Sequence, residues 1–269
     1  MTHTTNPVRL APLAALLAAG AAGATDLPTA SPESVGVDSA PLVKLSEMIR
    51  KENLDVRSFL VVKDGQLVYE RYAKGLTRNH NYELYSITKN VTALAAGALI
   101  DEGKSRLDEK VAPILAKARP DLKDALADKQ AIELRHVMSM STGLVYNFKP
   151  TDDPIYYGAP DRLKLAAETT PKAAPGTVFD YTAVDPILAS ATLGADAGMP
   201  LQDYARSHFF EPMGMTHYAW ERADDKGLVS SGWGLRLRAV DMAKLGMLVL
   251  HGGRWDGRQL VSQAWTRTM

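Results

Sequence analysis

Apolar positions first recur at helical spacing after residue 39. Leu42, Leu45, Met48 and Ile49 follow Ser39, a capping residue, and Pro41, a proline tolerated in a first turn. This predicts a helix of about three turns that ends before Asp55. The pattern then changes period. SFLVVKDGQLVYERY holds two β-rich runs around Asp64-Gly65, the dipeptide that supplies the positive φ angles of a tight turn, and it predicts a hairpin over 58–73. Strand signals fade beyond it, and helical patterns separated by Gly and Pro take over from residue 86 to about 215. Ile87, Val91, Leu94, Ala95, Ala98 and Leu99 form one stripe, with Gly103 where a helix would stop. A shorter helix is expected at 131–142, stopped by Gly143, with others at 160–169, 184–196, 200–210 and 239–251. Residues 25–38, rich in Pro, Ser and Gly, form an extended lead-in.

Ahead of that lead-in, LAPLAALLAAGAAGA follows Arg9 and closes on small residues at 22–24, the pattern of a cleaved signal peptide. At ~15 residues the run is too short to span a bilayer comfortably. The expectation is a signal peptide at 1–24, a mature domain at 25–269 without a stable membrane span, and a periplasmic or secreted location.

Composition narrows the chemistry. With 269 residues and 46% apolar content the chain can bury one large core. Its 31 basic and 31 acidic residues balance, which argues against nucleic acid or anionic membranes as partners. The absence of cysteine removes disulfides, thiolate metal sites and cysteine nucleophiles. Histidines at 3, 80, 136, 208, 217 and 251 show no metal-binding spacing, and phosphate-cradling and GxSxG patterns are missing too.

What remains is Ser86-Ile87-Thr88-Lys89. At the start of a helix this spacing puts hydroxyl and amine one turn apart on one face, where they can share a hydrogen bond. The helix N-terminus favours a developing alkoxide, so the pair can act as a nucleophile with a built-in base. The tetrapeptide alone also fits a capping serine and a solvated lysine. Trp233, between two glycines, can wall a substrate pocket or simply pack. His136 has a structural reading, and Asp180 and Asp185 are expected to serve as turn and helix-cap residues.

The surroundings decide between these readings. ELYSITKNVTALAAGALIDEGKSRLDEKV, then IELRHVMSMSTGL, then PGTVFDYTAVDPILA stand in an order and spacing that resemble the serine β-lactamase and penicillin-binding-protein superfamily. Within it the chain looks most like the class C β-lactamase-related esterases, D-alanyl-D-alanine carboxypeptidases and nylon-oligomer hydrolases, and the match runs from about Ser31 to the last residue. The resemblance implies an α+β, β-lactamase/transpeptidase-like fold, a helical region packed on an antiparallel sheet. It implies Ser86 as the acylated nucleophile, Lys89 as its partner and Tyr181 as a proton relay. It implies no metal or organic cofactor, and a small-molecule ester or amide as substrate.

Two departures accompany the resemblance. Where many relatives carry Tyr-x-Asn, the third position here is Ala183, which favours esters over β-lactams or peptides. A third motif, Lys-Thr-Gly or His-x-Gly on a C-terminal strand, is not reached by residue 269. The expectation that follows is a chain lacking its C-terminal strands, poorly soluble and nearly inactive. The alternative is an inactive or truncated member serving as a binding protein on the same scaffold.

Overall fold

A computed structural model describes residues 26–149 and 151–269, and the expected signal peptide at 1–24 lies outside the described residues. The lead-in runs alongside Leu67 through a parallel bridge at Thr29. Helix α1 (Ser39–Lys51) follows, capped by Asp38, whose carboxylate accepts from the Ala40 N–H at 2.9 Å, so the cap lies one residue before the expected serine. Strands β1 (Ser58–Lys63) and β2 (Gln66–Tyr72) form the expected antiparallel hairpin, with Asp64 and Gly65 at φ 51° and 78°.

Then comes β3 (Asn81–Glu83), and a single 3₁₀ turn, Tyr85–Ile87, leads into α2 (Thr88–Asp101). The helices α3 (Val111–Ala118) and α4 (Leu134–Met138) precede the two-residue strand β4 (Leu144–Val145). After α5 (Pro154–Tyr157) and α6 (Arg162–Ala167), β5 (Thr170–Pro171) pairs with β4. The long α7 (Val184–Ala197) is followed by α8 (Leu201–Ala205), which runs into a π-helical turn over Arg206–Phe210. Strands β6 (Tyr218–Trp220) and β7 (Leu235–Arg238) flank a long loop, and α9 (Ala239–Leu250) leaves β7 directly. The chain closes with the small pair β8 (Arg254–Trp255) and β9 (Arg258–Gln259) and with α10 (Gln263–Thr266).

The helices and antiparallel sheets match the expected α+β class. Seven short strands beyond the hairpin were not expected, and three of them, β3, β7 and β6, lie side by side, all antiparallel. Each of these three is three or four residues long, too short to display an alternating pattern. The helix expected over 131–142 contracts to α4, and the one over 200–210 keeps its length only through the π turn. Most of the core is one cluster running from Leu84 to Val261, built around α7, whose Val184, Ile187, Leu188 and Leu193 are buried. The hairpin belongs to a smaller group, Leu27, Leu67 and Val240, packed against α9.

Candidate active site

Ser86 does not sit inside α2 but in the 3₁₀ turn just before it. The turn is tied to the sheet because the Leu84 N–H donates to the Leu235 carbonyl at 2.9 Å. Tyr85 has φ 45°, a left-handed conformation that an aromatic residue rarely adopts, and it carries its ring outward while Ser86 is presented on the surface. Three residues on, Lys89 Nζ lies 3.3 Å from Ser86 Oγ.

Tyr181 arrives from the turn that precedes α7, and two contacts hold that turn. The Asp180 N–H donates to the Met140 carbonyl at 2.9 Å, and Thr142 Oγ1 donates to Asp185 Oδ1 at 2.7 Å. Its phenol hydroxyl is 2.5 Å from Ser86 Oγ and accepts from Lys89 Nζ at 2.9 Å, with the ammonium 4.8 Å from the ring centroid. Between two hydroxyls either oxygen can donate. Partial burial works to raise the Tyr181 pKa, but the hydrogen bonds with Lys89 and Ser86 and the lysine charge outweigh it and leave the phenol below its ordinary value of 10.0.

A fourth group completes the cluster. Lys89 Nζ also donates to the Gly232 carbonyl at 3.2 Å. Gly232 allows that approach because a Cβ there would lie 2.8 Å from Pro186 Cβ and 3.2 Å from Lys89 Nζ. The loop bearing Gly232 is locked to both long helices: Ser231 Oγ donates to the Pro186 carbonyl at 2.7 Å, and Thr92 Oγ1 donates to the Ser231 carbonyl at 2.8 Å. Elements distant in sequence, α2, α7 and the loop before β7, thus meet at one point.

This cluster lines a cavity of about 630 Å³. Trp233 is buried and forms part of its wall, its ring 5.3 Å from that of Tyr156, so it both packs and faces the cavity. Tyr85, Tyr146, Phe148 and Tyr157 line the same space, and Asp153 fixes Tyr146 by accepting its hydroxyl at 2.5 Å. Sequence reasoning missed these aromatics. Their signal was present in a stretch rich in Gly, Pro and Asp that nevertheless holds Tyr146, Phe148, Tyr156 and Tyr157. Ala183 contributes only a methyl group to the lining.

Other candidates fall elsewhere. His136 is not among the cavity's lining residues; its Nδ1 accepts from the Glu133 N–H at 3.1 Å in a capping box, and burial lowers its pKa. Asp180 lies in the turn as expected and lines the cavity. Asp185 is not a cap, since Ala183 occupies that position; it is 3% exposed, and burial pushes its carboxyl up to about 7 despite the bond from Thr142.

The family model described as Beta-lactamase matches residues 52–269, and the chain belongs to that family. A Salmonella agona protein, provisionally named a D-alanyl-D-alanine carboxypeptidase, is 28% identical over 220 residues, covering 71% of this chain and 50% of its own length. The 6-aminohexanoate-dimer hydrolase of Paenarthrobacter ureafaciens is 23% identical over 267 residues, covering 90% of this chain and 67% of its own. A solved structure from Bacillus anthracis, provisionally named as another such hydrolase, superposes with TM-score 0.70 at 22% identity, over 83% of this chain and 61% of that one. The chain therefore spans about half the length of the first of these relatives. Its fold is the β-lactamase/transpeptidase-like one.

Proposed function

We propose that the protein is a serine hydrolase that cleaves a small ester or amide through an acyl-enzyme on Ser86. One observation carries the reading: Ser86, Lys89 and Tyr181 form a closed hydrogen-bonded triangle on the wall of a cavity that can hold a substrate. Ser86 Oγ attacks the carbonyl carbon while its proton passes to Tyr181, whose phenolate Lys89 stabilises. The Ser86 N–H, in the turn that opens α2, faces the developing oxyanion as one donor. Collapse of the tetrahedral intermediate breaks the bond to the leaving group, which takes the proton from Tyr181. Water then attacks the acyl carbon, gives its proton to the same relay and releases the acid, restoring the serine hydroxyl.

The aromatic lining and the methyl of Ala183 support an ester, or an amide whose binding needs no carboxamide partner. Export to the periplasm or medium is part of the proposal and rests on the apolar segment before residue 25. No helix among the described residues is long and apolar enough to cross a membrane.

The test is covalent. A fluorophosphonate should modify Ser86 alone, as read by peptide mass spectrometry, and Ser86→Ala should abolish both the adduct and hydrolysis of p-nitrophenyl butyrate. An adduct on another serine, or unchanged turnover in Ser86→Ala, refutes the assignment.

A further inference from the structure

Lys89 Nζ carries three N–H groups, and among the described residues they meet three acceptors: Ser86 Oγ, Tyr181 Oη and the Gly232 carbonyl. Two of the three change during the reaction proposed above. Ser86 Oγ becomes an ester oxygen, and Tyr181 Oη gives and takes a proton. The Gly232 carbonyl stays the same throughout, so it is the fixed point that can hold a flexible four-carbon side chain in one place.

Two buried hydroxyls hold that carbonyl in turn. Thr92 stands three residues after Lys89 on α2, and its Oγ1 donates to the Ser231 carbonyl at 2.8 Å. A helical threonine can satisfy its hydroxyl on its own helix, but Thr92 reaches across to the loop. Ser231 Oγ donates to the Pro186 carbonyl of α7 at 2.7 Å, close in sequence to Tyr181. Behind them the Gly232 N–H donates to Ser230 Oγ at 3.0 Å, and Trp220 Nε1 donates to the Ser230 carbonyl at 2.9 Å. The segment that presents the Gly232 carbonyl is thus pinned on one side to the helix that carries the lysine and on the other to the helix that follows the tyrosine. Thr92 and Ser231 are 3% and 2% exposed, and neither lines the cavity of the candidate site. Their effect on a substrate can only be indirect.

We propose that Thr92 and Ser231 are positioning residues for the hydrolysis, which through the Gly232 carbonyl fix the Lys89 ammonium between Ser86 and Tyr181 at every step. The inference rests on the acyl-enzyme reading of Ser86. Loosening the clamp lets the lysine swing away from the phenol, which slows acylation while the substrate still binds.

Three variants separate this role from mere packing. Thr92→Val keeps the shape and removes the donor, Thr92→Ser keeps the donor, and Ser231→Ala cuts the tie to α7. Each is assayed on p-nitrophenyl butyrate beside the parent and Ser86→Ala, using material that elutes as folded protein. Thr92→Val should lower kcat about tenfold or more and leave KM within about twofold. The pH at which kcat/KM levels off should also move up toward 10.0, the ordinary value of the phenol, as the ammonium leaves it. Ser231→Ala should do the same, and Thr92→Ser should recover most of the parent's kcat. The position of the pH profile does not depend on how much of a variant folds, so a low yield still gives an answer. A parent-like kcat and pH profile in Thr92→Val or in Ser231→Ala overturns the role of that residue. Equal losses in Thr92→Ser and Thr92→Val would assign the effect to shape and overturn the hydrogen-bonded clamp. Turnover that survives in Ser86→Ala overturns instead the acyl-enzyme reading beneath it.

Discussion

At the scale of single residues, two titrating groups give opposite kinds of test. Tyr181 is held below its ordinary pKa because Lys89 and Ser86 outweigh the effect of its burial. If its phenolate is the working base, kcat/KM for an ester should rise with pH and level off below pH 10, where an ordinary phenol would still be titrating. Tyr181→Phe should lower the rate by about 10²–10⁴ and remove that inflection. The same inflection in the Phe variant would move the base to another group. Asp185 tests stability instead. Its carboxyl is raised from 3.8 to about 7, so the folded state binds a proton that the unfolded chain has released. The resulting stability is complete below about pH 4 and is lost as pH rises through about 7, at no more than about 1.4 kcal/mol per pH unit. Asp185→Asn keeps an oxygen for Thr142 and carries no charge, so its melting temperature should vary less between pH 5 and 8 than the parent's. Equal slopes would show that Asp185 is not the group responsible.

At the scale of elements, close approach decides more than helix propensity. Trp265 of α10 lies against α2 at Gly97, where its indole would collide with an added Cβ, and its Nε1 donates to the Ala93 carbonyl at 2.9 Å. Gly→Ala in a free helix gains about 1 kcal/mol, whereas overpacking costs about 1–3 kcal/mol. Gly97→Ala should therefore lower the melting temperature, and the same change in a Trp265→Leu background should be neutral or stabilising. A stabilising Gly97→Ala in the parent would mean that the indole moves aside freely. The same contrast explains what could be read from the sequence. The hairpin was legible because Asp64-Gly65 encodes its own turn, and α1, α2, α7 and α9 because each repeats its apolar spacing over several turns. Strands β3, β6 and β7 carry no such local signal, and β3 reaches its partner β7 only across more than 150 residues, from Asn81–Glu83 to Arg236–Arg238. The site divides likewise. Ser86 and Lys89 are one turn apart in sequence, while Tyr181 was reached only through a resemblance, and Gly232 and the ring of aromatics become visible once three distant segments meet.

At the scale of the whole molecule, the candidate site and the hairpin rest on unequal foundations. Ser86, Lys89, Tyr181 and Gly232 all lie in or beside segments anchored in the main core cluster, through Leu84, Val91, Val184 and Trp233. The hairpin contributes one fully buried residue, Leu67, and the half-buried Leu60 and Val62 to a small group with Leu27 and Val240, and no residue of β1 is fully buried. Apolar area removed from water is worth about 25 cal/mol per Å², so the helical body holds most of the stabilising burial and the hairpin layer little of it. Local opening should follow that division, because segments with few buried contacts open at lower free energy than the core. Native-state hydrogen exchange followed by mass spectrometry should show residues 58–72 exchanging well before α2 and α7. Leu67→Ala should widen the gap by loosening the hairpin without changing exchange in α7. Hydrolysis should persist under mild urea that has already released the hairpin amides, since none of the four groups at the site belongs to that layer. Simultaneous exchange of hairpin and α7, or loss of turnover in step with the hairpin, would mean that the sheet and the helical body open as one unit and that the site depends on the hairpin.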